Sequence, residues 1–172
     1  MLTVKKPLPK ELSSYYQTYL KYVPEDDLLN ALIKQTEITR FFLATISEGK
    51  ASSSYAEGKW LLKEVVGHLC DTERILSYRA LRISRNDKTP LPGFEENEYT
   101  PNSNYKERSL SNIADEFSVV RASTIALFMN MNEEMYDRRG TSNNTDVGVR
   151  DILFFIVAHE RHHMNVIKER YL

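Results

Sequence analysis

The sequence has a single cysteine, Cys70, in 172 residues, so no intrachain disulfide can form and a reducing compartment is expected. It also lacks an excess of either charge. Its 23 lysines and arginines face 24 aspartates and glutamates, for a net charge of −1. General nucleic-acid or membrane-surface binders usually carry a basic excess, so neither partner is expected. No apolar run is long enough to span a bilayer. The greasiest stretch, DILFFIVAH, reads as a core helix. The N-terminus carries lysines without the apolar segment that a secretory signal would place behind them, and a cytoplasmic location is the expectation. Glycine and proline are scarce, six of each, and clustered, which leaves long stretches without helix breakers. Strand signals are thin as well: there is no Asn-Gly or Asp-Gly turn and no sustained apolar/polar alternation.

What remains predicts helices. Four long segments stand out, roughly 26–48, 60–85, 109–134 and 149–170. The first follows Pro24, has acidic residues in its first turn and meets Gly49 just past its end. Its Leu28, Leu29, Leu32, Ile33, Ile38, Phe41, Phe42 and Ile46 recur at helical spacing. In the third, Ser111 with an acidic residue one turn later resembles a capping box. In the fourth, Gly148 or Asp146 is the candidate cap, and Asp151 suits the helix dipole. A shorter amphipathic segment, 10–22, precedes them. The linker 86–108 holds Pro90, Pro92 and Pro101 and is long for a compact domain. Its Phe94, Glu95, Glu96 and Tyr99 are candidates to roof a pocket. No repeat or domain boundary is visible. The pattern predicts one all-α domain over 1–172, a four-helix bundle with a short N-terminal helix and one long crossover loop.

The chemistry lies in the four histidines, His68, His159, His162 and His163. At about 100° per residue, His159 and His163 fall within the stripe marked by Val149, Ile152, Ile156, Val166 and Ile167, one turn apart. His68 falls within the core stripe of the second helix, marked by Leu61, Val65, Leu69, Ile75, Leu76 and Ile83. His162 falls at the edge, a position for supporting a metal ligand or contacting substrate. A lone core histidine is usually just hydrogen-bonded. Two core-facing imidazoles at i and i+4 are costly to bury unless each finds a partner, and a divalent metal serves both at once. With His68 the set has three nitrogens and leaves a coordination position open, as in catalytic rather than structural sites. There a water becomes more acidic, or a substrate thiol is held as its thiolate. Imidazole ligands suit zinc or nickel, with iron or cobalt as alternatives.

HERHH also fits the H-E-x-x-H pattern of zinc proteases, with Glu160 as base. Those enzymes take a third ligand well downstream, and Leu172 comes only nine residues after His163. Glu160 also lies about 100° around the helix from His159, which reads as a solvated or ligand-supporting carboxylate. Glu64 and Asp71 flank His68 and are candidates to fix its tautomer, with bundle-edge salt bridges as the plainer alternative. Arg79, further along the core stripe, needs an anionic partner: Asp71, Glu64 or a substrate carboxylate. Glu64, Arg79 and His162 are thus the candidate catalytic or substrate-contacting residues. Cys70 falls opposite the histidines and reads as structural.

The run Trp60, Glu64, Gly67-His68-Leu69, Asp71 and Glu73, then Arg139-Gly140-Thr141, then Val149-Arg150-Asp151 leading into Ala158-His159-Glu160 and His162-His163, and closing on 167–172, resembles the DinB-like (YfiT-type) superfamily over residues 26–172. That resemblance implies a four-helix bundle in which His68, His159 and His163 bind a divalent metal, usually zinc or nickel, in a chain that is often a homodimer. It implies a metal-dependent hydrolase, or an S-transferase or isomerase using a low-molecular-weight thiol such as bacillithiol, mycothiol or glutathione. Gly148 stands where the family pattern has Ser or Thr. The leading expectation is a cytoplasmic enzyme that activates a small thiol or water against an electrophilic small molecule. The alternatives are a non-catalytic metal-binding dimer with a structural or sensing role, and a helical interaction module without metal.

Overall fold

The computed structural model describes residues 3–172. Four long helices form the body: α1 (Leu28–Ala44), α2 (Leu62–Ser84), α3 (Leu110–Met129) and α4 (Val149–Val166). α1 and α2 each pack against both α3 and α4, so α1 stands diagonally across the bundle from α2, and α3 from α4. This puts α2 beside α4, the two helices that carry the histidines.

Helix ends follow local hydrogen-bonding chemistry. Asp27 caps α1 by accepting the Asn30 amide. The first segment then breaks, because Ser47 caps a separate short helix, Glu48–Ala51, that contains Gly49. α3 starts at Ser109, whose hydroxyl accepts the Asn112 amide, and not at a box on Ser111. It ends at Met129, and Asn132 caps another short helix, Glu133–Asp137. At α4, Gly148 is the first flanking residue and Asp151 accepts its amide at 2.8 Å. Asp151 thus satisfies the Gly148 amide, and no side chain at position 148 accepts from the first-turn amides. Beyond Val166 the chain widens into a π-turn, Ile167–Tyr171. The 10–22 segment is not one helix but three short turns, Pro9–Glu11, Ser14–Gln17 and Leu20–Tyr22.

The helical bundle stands as expected, with one small addition that the sequence did not signal. Residues Arg139–Ser142 (β1) and Thr145–Gly148 (β2) form an antiparallel hairpin. Its two turn residues, Asn143 and Asn144, both have positive φ, of 50° and 58°, as a type I′ turn requires. The linker is zipped to it: the Leu91 amide donates to Thr141 (2.9 Å), and the Asn143 amide donates to Leu91 (3.0 Å).

Two apolar clusters fill the bundle, one around Leu32, Phe128 and Phe154, the other around Leu69, Phe117 and Ile167. Ile38 and Phe41, expected in the core stripe of the first helix, are instead exposed at 65% and 62%. Between the clusters lies a polar layer to which every long helix contributes. Arg121 from α3 pairs with Glu73 from α2 (2.7 Å) and Glu160 from α4 (2.6 Å). Gln35 and Thr39 from α1 donate to Glu160. All five residues are buried. Burial opposes the Arg121 charge, but the two carboxylates outweigh it and its pKa is raised.

Candidate metal centre

α2 runs away from the histidine cluster and α4 runs toward it, and the two line one wall of a cavity of about 510 Å³. That volume is ordinary for a small-molecule site. The Nε2 atom of His159 lies 3.2 Å from Nε2 of His68 and 3.1 Å from Nε2 of His163. Two nitrogens bound to one ion at about 2.0–2.1 Å stand about 2.9 to 3.4 Å apart for angles between octahedral and tetrahedral. The observed spacings match. Nε2 of His159 offers either one N–H or one in-plane lone pair, so hydrogen bonding alone can satisfy only one of the two close nitrogen pairs with good geometry. The donor set therefore fits a divalent cation.

The electrostatics agree. Burial lowers the His68 pKa to about 4. His159 and His163 lie well below the usual value, first through burial and then through repulsion from neighbouring histidines. All three are neutral near pH 7, the state in which imidazole binds metal. Around them, Trp60 packs on the His68 ring with centroids 5.2 Å apart, and the Tyr171 hydroxyl fixes the Trp60 carbonyl. The Thr72 hydroxyl stands beside His68, 3.4 Å from Nδ1 and 3.5 Å from Nε2. Thr72 escaped the sequence reading, although its i+4 relation to His68 placed it on the same face.

The other expected residues divide. His162 stands at the cavity wall outside the three-nitrogen cluster, its Nδ1 3.0 Å from the Tyr22 hydroxyl. Arg79 also lines the cavity, but pairs with neither Asp71 nor Glu64; it donates to the Pro92 carbonyl at 2.7 Å. Glu64 is drawn off into helix capping, accepting the Leu61 amide at 2.8 Å. Asp71 faces away from His68 and accepts from Tyr105 at 2.8 Å. Glu160 is neither solvated nor beside the open position, because the Arg121 layer holds it. Cys70 is fully buried in the second apolar cluster. From the linker, Phe94 and Glu96 reach the cavity, whereas Glu95 caps its own helix through Asn97 and Tyr99 packs on Phe94. Ser13, Tyr15, Tyr16 and Tyr19 from the N-terminal turns close another side, a contribution that sequence periodicity did not signal.

Comparison with known proteins gives a consistent result. The family model described as the DinB superfamily matches residues 31–167. A protein of Oceanobacillus iheyensis, described as a candidate metal-dependent hydrolase, is 23% identical over 129 residues, 72% of either chain. Among solved structures, YfiT from Bacillus subtilis is described as a candidate metal-dependent hydrolase with an unusual four-helix bundle topology. It aligns with a TM-score of 0.75 at 18% identity, covering 95% of this chain and 91% of that one. The mycothiol-dependent maleylpyruvate isomerase aligns with a TM-score of 0.65 at 14% identity, covering 80% of this chain and 58% of that one. At such identities the two structures speak to the fold.

Proposed function

We propose that this chain, which belongs to the DinB superfamily, is a metal-dependent enzyme acting on a small electrophilic molecule. The observation that carries the reading is the convergence of His68, His159 and His163 at the wall of a ligand-sized cavity. The names of the similar proteins, metal-dependent hydrolases and a mycothiol-dependent isomerase, point the same way. A divalent ion there, zinc or nickel, would supply Lewis acidity and lower the pKa of a bound water or thiol.

The chain's own residues do the rest. Burial keeps the three imidazoles neutral and therefore free to donate electron pairs. Trp60 and Phe155 shield the centre from bulk water on two sides. The Thr72 hydroxyl is placed to hydrogen-bond a group bound beside His68. His162, with its pKa lowered by burial and by Lys21, is a neutral imidazole within reach of the cavity and is the candidate to move a proton. The enzyme acts in the cytoplasm, on small molecules rather than nucleic acids or membranes. The balanced charge supports this reading, and no helix among the described residues is long and apolar enough to cross a membrane. Ile38 and Phe41, exposed on α1, offer apolar surface for a homodimer.

Zinc- or nickel-loaded protein incubated with a model electrophile, with and without bacillithiol or glutathione, tests the chemistry. Turnover only with thiol makes it an S-transferase; turnover without thiol makes it a hydrolase. Tight metal with no turnover in either arm supports the structural or sensing alternative and overturns the enzyme reading.

A further inference from the structure

The cavity has a second end. His68, Thr72, Leu76 and Arg79 follow one another along the same face of α2, and all line it. Arg79 therefore lies about three turns, roughly 16 Å of helix axis, beyond His68. It is 9% exposed, and no carboxylate pairs with it among the described residues. Its guanidinium donates to the Pro92 carbonyl and stacks over Phe94, 5.7 Å from the ring centroid. One carbonyl leaves most of the guanidinium's five N–H donors free. Burial opposes its charge and lowers its pKa.

The neighbouring carboxylates are committed elsewhere. Asp146 and Asp151 are both held by Arg139, at 2.6 and 3.1 Å, and Asp151 also accepts the Gly148 amide. Glu96 is exposed. A second observation points to the same place. Ser142, on β1, lines the cavity, and its hydroxyl is buried without any hydrogen-bond partner. Buried polar atoms without partners are rare and costly. The linker zipped to the hairpin brings Pro92, Phe94 and Ser142 to this end together.

We infer that this end of the cavity is a carboxylate-binding subsite, in which Arg79 pairs with the carboxylate of a small-molecule ligand and the Ser142 hydroxyl donates to it. The inference rests on the reading of the cavity as a small-molecule site and names the class: an anion whose reacting group lies at the histidine end and whose middle is apolar, matching Leu76, Tyr16 and Phe155. Charge-assisted and bidentate pairing to guanidinium gives the selectivity.

The test is calorimetric titration of 4-phenylbutanoate and of its neutral amide into the protein as purified and again after chelator treatment. The acid binds at least tenfold more tightly than the amide. Arg79→Gln abolishes that preference; Arg79→Lys restores part of it, and Ser142→Ala weakens acid binding about threefold. Equal binding of acid and amide by the unaltered protein overturns the inference, and that comparison stands even if Arg79→Gln fails to fold. So does an acid preference that survives in folded Arg79→Gln. Because the preference is read with metal removed, failure of the metal-enzyme reading leaves it intact, and the reverse also holds.

Discussion

The Nε2 atoms of His68 and His159 face each other at 3.2 Å across the α2–α4 interface. His163 adds a third at 3.1 Å from His159, and among the described residues these three form the one cluster of candidate metal ligands. An ion bound among them links α2 to α4 in the folded state only. Added zinc or nickel will therefore raise the thermal midpoint of chelator-treated protein; a ligand at 100 times its Kd contributes about 2.7 kcal/mol. His159→Ala will remove this response and the bound metal. A metal-induced shift that persists in His159→Ala would place the ion elsewhere.

The same nitrogens set a pH dependence for the metal-free protein. The folded pKa of His68 is lowered to about 4 against a usual 6.5, so the unfolded chain takes up its proton first. Stability is full above pH 6.5 and falls as pH drops toward 4. At about 1.36 kcal/mol per unit, His68 alone accounts for about 3 kcal/mol. His159 and His163, shifted in the same direction, extend the loss to lower pH. Urea unfolding of chelator-treated protein between pH 8 and pH 4 checks this; a flat profile contradicts it.

Arg121 holds two carboxylates in a layer from which water is excluded. Arg121→Met will leave Glu73 and Glu160 buried without their cation and cost about 3–5 kcal/mol. Replacing all three together with apolar residues of similar size will recover most of that loss, since the layer's net contribution is small. Chemical denaturation reads both outcomes. A cost below about 1 kcal/mol for Arg121→Met would show that water reaches the layer.

Gly67 is required by the close approach of Tyr105. A Cβ at Gly67 would stand 2.3 Å from the Tyr105 ring, which the hydroxyl bond to Asp71 holds in place. Gly67→Ala will cost about 1–3 kcal/mol by overpacking. Tyr105→Ala in the same chain will reduce that cost, so the pair will be non-additive. Additive effects would mean that the two residues do not meet.

The histidine cluster was legible in the sequence because three residues on two long, breaker-free helices obey a 100° period, and a single stripe on each helix fixes where they point. The four long helices were legible for the same reason, though their ends were not. Ser47 and Asn132 cap new short helices at the far ends of the first and third segments, where no apolar position marks the break. The hairpin was missed because Asn143 and Asn144 supply the positive φ usually given by Asn-Gly, so the expected dipeptide is absent. Glu64 was misassigned because its partner is a backbone amide, which leaves no side-chain signal at Leu61. The Arg121 layer draws one or two residues from each of four helices, and no local pattern in a single segment reveals it. The Arg79 end of the cavity depends on the linker folding against the hairpin, a contact between segments about 50 residues apart in the chain.

X-ray absorption fine structure of zinc-loaded protein tests the central claim most directly. The account predicts one zinc per chain with three imidazole nitrogens at about 2.0–2.1 Å and one further light ligand that is not a protein side chain. The imidazole signal will be lost in His159→Ala. Absence of stoichiometric zinc, or a shell closed by four protein ligands, would contradict it.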